Sequence, residues 1–190
     1  KQHVQVIDGA SHALPVAHTQ PVAATMVDFM VDFLRGKNDQ AIDKSRIARS
    51  FSRAAISYDA AATLQRDVAS ALLATVPATC NGRVADIGCG TGYVTGQLLQ
   101  KNAQVIAVDI AAGMVQHTHQ RYPAVHCIQA DMECLPLADQ SVDWLLSSLA
   151  AQWASNLSRC FREWRRVLAA GGHLRFATFL PGTLRELEQS

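Results

Sequence analysis

None of the five cysteines, Cys80, Cys89, Cys127, Cys134 and Cys160, belongs to a CxxC pair, and their odd number argues against a complete internal disulfide set. The pattern fits buried or half-buried free thiols in a reducing, cytoplasmic compartment, and no metal site is assigned. Charge of one sign is also missing. Lysine plus arginine number 17 against 16 acidic residues, a net charge of +1, so composition provides no field that would attract a nucleic-acid backbone. No apolar run reaches membrane-spanning length. The opening residues Lys1 to Ile7 lack the basic region and long apolar core of a signal peptide. There is no initiator methionine, and the chain opens inside what reads as a strand, so a fragment of a longer protein is expected. Internal repeats and low-complexity tracts are absent. What remains is a 190-residue chain, 49% hydrophobic and 17% charged, enough for one globular core and a short appendage.

The chain divides near residues 36–44. Before that point, Val4 to Ile7 reads as a short strand, Asp8 to His12 as a loop, and Pro21 opens a helix. That helix carries Val22, Met26, Phe29, Met30 and Phe33 on one face. Gly36 is a helix stop, and polar residues follow it. The expected segments are residues 1–36, a linker at 37–44, and a main domain at 45–190. In the main domain, two helical stretches (about Asp43–Tyr58 and Ala61–Val76) precede an alternation of strands and helices. Strands are expected at Arg83–Ile87, Gln104–Val108, His126–Gln129, Val142–Ser147 and His173–Phe179. Helices are expected near Val94–Lys101, Ala112–Gln120 and Leu157–Leu168. Such alternation, with strands that are nearly continuous apolar runs, predicts an α/β fold built on a doubly wound parallel sheet.

The segment Val84-Ala85-Asp86-Ile87-Gly88-Cys89-Gly90-Thr91-Gly92 falls where the first sheet strand turns into a helix. Glycines there let the backbone turn sharply and approach a ligand at the carboxyl end of the sheet. A dinucleotide site usually reads GxGxxG and holds a pyrophosphate. Here the third position is Tyr93, and Asp86 would repel a pyrophosphate while favouring an ammonium. S-adenosylmethionine fits this chemistry better, with Asp86, Gly88, Gly90 and Gly92 as its glycine-loop contacts. Asp109, at the end of the second strand, can accept from both ribose hydroxyls. Asp131, at the end of the third, can accept from the adenine amine, with the Met132 N–H donating to the ring and Ile110 supplying an apolar face. Aspartates at strand ends also serve as helix caps, and Asp131 taken alone fits that role as well. The ordered set of acid–GxGxG, acid, acid resembles the class I methyltransferase family, with its Rossmann-like fold.

A narrower resemblance lies in Phe51-Ser52-Arg53-Ala54-Ala55-Ile56-Ser57-Tyr58-Asp59, in the Gln152-Trp153 loop, and in Leu180-Pro181-Gly182-Thr183-Leu184. Over roughly residues 43–190 the chain looks like the malonyl-[acyl-carrier protein] O-methyltransferases of biotin synthesis. The resemblance implies methyl transfer to the free carboxylate of a malonyl thioester, with acyl-carrier protein as partner and no membrane or nucleic acid involved. It places Gln152 and Trp153 on the substrate wall, with Tyr58 closing the pocket. Trp153 also suits an ordinary core aromatic, and Tyr58 a helix-end packing residue. A malonyl carboxylate is ionised near neutral pH, so no general base is named. Arg46, Arg49 and Arg53 share one helical face, either a docking surface for an acidic carrier protein or a solvated face. Arg162, Arg165 and Arg166 raise the same alternatives. The family's sheet continues beyond its fifth strand, so a domain truncated after that strand is expected.

Residues 1–36 resemble the C-terminal end of an α/β-hydrolase, a strand-loop-helix remnant in which His12 takes the place of the triad histidine. In that fold the order is Ser, Asp, His, so its partners would precede Lys1. An ordinary loop histidine is the alternative. A carboxylesterase of this fold removes the same methyl ester at the pimeloyl stage, which makes a bifunctional esterase–methyltransferase fusion the expected source. His12 without a nucleophile is expected to give no esterase activity. Competing readings are a methyltransferase for another small molecule such as a quinone precursor, and a non-catalytic module that binds the cofactor or docks a carrier protein. A nucleic-acid methyltransferase is disfavoured, because no Asn-Pro-Pro-Tyr loop or Pro-Cys nucleophile is present.

Overall fold

The computed structural model describes residues 42–179. His12, residues 1–36, most of the linker and the Leu180–Leu187 segment lie outside the described residues.

Five strands form one parallel sheet: β1 (Gly82–Ile87), β2 (Ala103–Asp109), β3 (His126–Gln129), β4 (Val142–Ser148) and β5 (Leu168–Ala177). Their spatial order is β3-β2-β1-β4-β5, so the winding reverses between β1 and β4. Residues along β1 alternate between two cores, as the two-residue period of a strand requires. Val84 packs with Val105, Ala107 and Leu146 under α3 (Thr63–Ala74) and α4 (Tyr93–Gln100). Ala85 and Ile87 pack with Val108 and Leu145 under α6 (Leu157–Val167), whose Trp164 is fully buried. Both faces are covered, which is why these strands read as apolar runs. α5 (Ala112–Arg121) follows β2, and its Met114 packs with Ala55 and Ala111 in a third, smaller cluster.

The N-terminal helices differ from expectation. A single helix to Tyr58 was expected, but α1 (Lys44–Ala54) stops early and the four-residue helix α2 (Tyr58–Ala61) follows. Asp43 caps α1 by accepting from the Arg46 N–H at 3.0 Å. At the other end the Ser57 N–H folds back onto Ala54 O at 3.0 Å, a tight turn that replaces the next helical bond. The turn leaves Ile56 93% exposed and lets Tyr58 and Asp59 point toward the sheet loops.

β5 starts five residues earlier than expected. Val142 pairs with Leu168 and Trp144 with His173, so two residues of β4 span five of β5. Ala169 to Gly172 make this irregularity. The cysteines are free as expected, but Cys134 is exposed rather than buried, because it sits in the turn closed by the Asp131–Cys134 bridge. Among the described residues no helix is long and apolar enough to cross a membrane.

Candidate cofactor and acceptor site

Ligands of open parallel sheets bind where the strand order reverses. Here that point is the gap between the loops after β1 and β4, and the two loops touch. A Cβ on Gly88 would lie 2.3 Å from the Ala150 Cβ. Gly88 also has φ +74°, so glycine is needed there twice over. Its N–H and that of Cys89 donate to Val108 O at 2.8 and 3.0 Å, which ties the loop to the end of β2. Gly90 has φ +55°, and a Cβ there would meet nothing within 4 Å. The loop therefore presents bare backbone to open space at Gly90, the feature a closely approaching ligand requires. Gly92, at the N-cap of α4, accepts the Gly96 N–H at 2.9 Å.

Asp86 is buried beneath the glycine loop. It is 1% exposed, and its Oδ2 accepts from Thr95 Oγ1 at 2.6 Å in the first turn of α4. Burial pushes its carboxyl up to about 7, the Thr95 hydrogen bonds opposing this and the nearby Asp109 charge adding to it. The expectation put Asp86 beside a ligand ammonium. In the structure its carboxylate bonds Thr95 and so braces the start of α4.

Asp109, half-buried at the end of β2, accepts the Gly90 N–H at 3.0 Å on Oδ2 and the Ala111 N–H at 2.8 Å on Oδ1. Burial raises its pKa, and those backbone bonds oppose the rise. The Ile110 N–H also bonds this carboxylate, which with about four acceptor sites keeps capacity for a ligand hydroxyl. Asp131 accepts the Glu133 N–H at 2.9 Å on Oδ1, and its Oδ2 lies 2.6 Å from Lys44 Nζ. Ile110 is half-buried and takes a Gln129 side-chain bond on its carbonyl at 3.2 Å. Met132 is half-buried and packs on the α6-side core.

The sequence reading missed the polar ties that bring the N-terminal helices to each loop. Thr91 Oγ1 of the glycine loop donates to Asp59 Oδ1 at 2.6 Å. Asp59 is also bonded by Arg66 at its carbonyl and lies 3.5 Å from Arg121 Nη1 of α5. The Gly113 N–H, after β2, donates to Ser52 Oγ at 3.1 Å. Lys44 reaches Asp131 and, at 2.6 Å, Glu133 Oε1, after β3. Burial alone would lower the Lys44 pKa, but its bonds to the two carboxylates hold it above the usual value. One signal was readable: Asp131-Met132-Glu133 puts a second acid two residues beyond the first.

Phe51 joins the residues expected on the acceptor side. Its ring meets Trp153 edge-on at 5.4 Å and Tyr58 at 6.3 Å. Burial, with the Asp109 and Asp59 charges adding, pushes the Tyr58 hydroxyl up to about 12, so it stays a neutral donor. Gln152, in a 3-10 turn (Ala151–Trp153), is 6% exposed. Its Nε2 donates to Leu149 O at 2.7 Å and its Oε1 accepts from Thr178 Oγ1 at 3.2 Å. Both ends of that amide hold the loop in place, while Trp153 is the half-buried member of the pair. Arg46, Arg49 and Arg53 are all exposed along α1. Arg162 and Arg165 are exposed, whereas Arg166 bonds Glu163, Asp139 and the carbonyls of Leu135 and Leu137, which makes it a fastener of the β3–β4 connection.

Comparison with known proteins finds similarity to methyltransferases. Residues 85–176 match the model described as a methyltransferase domain. The chain is 41% identical over 192 residues to the biotin biosynthesis bifunctional protein BioHC of Cellvibrio japonicus, covering all of this chain and 37% of that protein. It is 41% identical over 149 residues to the malonyl-[acyl-carrier protein] O-methyltransferase of Serratia marcescens, covering 78% of this chain and 58% of the relative. The chain thus spans between 37% and 58% of the length of these two relatives. Among solved structures, an S-adenosylmethionine-dependent methyltransferase from Mesorhizobium loti matches with TM-score 0.54 and 30% identity, over 57% of this chain and 51% of that one.

Proposed function

We propose that the chain carries a class I methyltransferase domain and that it transfers a methyl group from S-adenosylmethionine to the free carboxylate of a malonyl thioester on acyl-carrier protein, a step of biotin synthesis. The observation that carries this reading is the 41% identity to the malonyl-[acyl-carrier protein] O-methyltransferase of Serratia marcescens over 78% of the chain. The site is compatible with that cofactor. Asp109 has acceptor capacity for a ribose diol, Asp131 and the Met132 N–H suit the adenine edge, and the open face of Gly90 leaves room for the tail. Gly88 and Gly92 shape that loop, Ile110 supplies an apolar contact for the base, and Asp86 provides a negative field toward the tail's ammonium.

When bound, the cofactor supplies an electrophilic methyl group on a sulfonium. The chain's own work is alignment and exclusion of water. The Phe51–Tyr58–Trp153 cluster forms the acceptor wall, and Gln152 holds that wall's loop through Leu149 and Thr178. The acceptor carboxylate is already ionised at neutral pH, so no side chain has to remove a proton. The exposed arginines 46, 49 and 53 on α1 suit docking of an acidic carrier protein. For residues 1–36, including His12, we infer an origin as the end of an α/β-hydrolase. It is supported by the match through the whole chain with the bifunctional Cellvibrio relative.

The test is intact mass spectrometry of malonyl-acyl-carrier protein after incubation with S-adenosylmethionine and this protein, with the Serratia marcescens relative as the reference reaction. The expected result is gain of one methyl ester, lost in Asp109→Ala. Cofactor binding without methyl transfer under conditions where the reference reacts would remove the malonyl assignment.

A further inference from the structure

Outside the expected site residues, one cluster ties two parts of the site together. Lys44 Nζ stands 2.6 Å from Asp131 Oδ2 and 2.6 Å from Glu133 Oε1. Glu133 is buried, 4% exposed, and its carboxylate also reaches the loop after β4. Its Oε1 accepts the Ser155 N–H at 2.6 Å, the Ser155 hydroxyl at 2.8 Å and the Asn156 N–H at 3.2 Å. Those two amides close the loop that carries Trp153, and Asn156 in turn caps α6 by accepting the Arg159 N–H at 2.9 Å. A continuous chain of charged contacts therefore runs from the adenine-side acid, through one ammonium, to the backbone of the acceptor-side loop. Two carboxylates share a single cation, so any change in what Asp131 bonds alters how that cation is divided between them.

We propose that Lys44 and Glu133 are positioning residues that couple the adenine end of the cofactor site to the acceptor loop. An adenine amine donating to Asp131 weakens the claim of that carboxylate on Lys44. The ammonium then bonds Glu133 more strongly and holds Glu133 against the Ser155 and Asn156 amides. Occupancy at one end thereby orders the Trp153 loop at the other, and by linkage a loop already ordered favours the cofactor. This rests on the cofactor reading above but not on the identity of the acceptor.

The experiment is hydrogen exchange at the Ser155 and Asn156 amides, with and without saturating S-adenosylhomocysteine, in the unaltered chain, K44M and K44R. Calorimetry of the same ligand accompanies it. In the unaltered chain the ligand is expected to slow exchange of both amides about tenfold. K44R should keep most of that effect, and K44M should lose it while still binding the ligand more weakly. A merely structural lysine would change protection equally in the free and bound states. Ligand-induced protection in K44M equal to that of the unaltered chain would overturn the proposal. Should K44M not fold, E133Q carries the same test, because its side-chain oxygen still accepts the two amides while the ion pair is gone. If the unaltered chain binds no S-adenosylhomocysteine, the cofactor reading fails first, and calorimetry reports that separately.

Discussion

Replacing Asp86 with asparagine tests the electrostatics of the glycine loop directly. The carboxyl is 1% exposed and raised from 3.8 to about 7, chiefly by burial. Its folded pKa lies above its unfolded value, so between those pH values the folded chain holds a proton that the unfolded chain has released. Stability therefore falls as pH rises from about 4 through about 7, and is flat above that window. At about 1.36 kcal/mol per pKa unit, the ionised group costs up to about 4 kcal/mol at pH 8, and relaxation of the loop reduces this to about 2. Asparagine keeps an oxygen for the Thr95 hydroxyl and mimics the neutral acid at every pH. D86N should match the unaltered chain near pH 4 and be about 2 to 4 kcal/mol more stable at pH 8, read by urea unfolding with tryptophan fluorescence. Comparison between the two variants cancels other titrating groups. The same change removes a negative charge behind the glycine loop, so S-adenosylhomocysteine should bind roughly tenfold more weakly at pH 8. A stability difference that does not vary between pH 4 and pH 8 would refute the reasoning.

Two glycine substitutions should separate folding from binding. Gly88→Ala drives a methyl into Ala150 and should cost about 2 to 4 kcal/mol in urea unfolding. Gly90→Ala meets no protein atom, so it should cost only about 1 kcal/mol while weakening cofactor binding by an order of magnitude or more in calorimetry. Asp109→Asn should weaken binding roughly 10- to 100-fold through loss of charge-assisted hydrogen bonds, with unchanged far-ultraviolet dichroism. Trp153→Ala should raise the acceptor KM at least about fivefold and leave S-adenosylhomocysteine affinity within about twofold. Equal loss of both affinities would assign Trp153 to the core instead.

Much of the fold was legible because its signals are local. Each strand of a doubly covered parallel sheet must be an apolar run, and each helix must repeat its apolar face at 3.6 residues, so the alternation of elements reads directly from the chain. The glycine loop and the three strand-end acids were legible for the same reason, since each belongs to one turn. Element ends were less so. The break at Ser57 and the early start of β5 at Leu168 depend on which carbonyl or neighbouring strand is in reach, not on propensity.

By itself the sequence determined a parallel α/β sheet with a glycine loop at its carboxyl edge, because glycine spacing and acid placement are properties of consecutive residues. Only the tertiary structure decided what those residues do to one another. It turned Asp86 inward to Thr95, and it used both ends of Gln152 to fix a loop. It also joined Lys44 to Asp131 and Glu133 across more than 80 positions of chain. Such contacts are made by loops that meet only after the sheet has assembled, and burial then sets the charge states of the groups enclosed there.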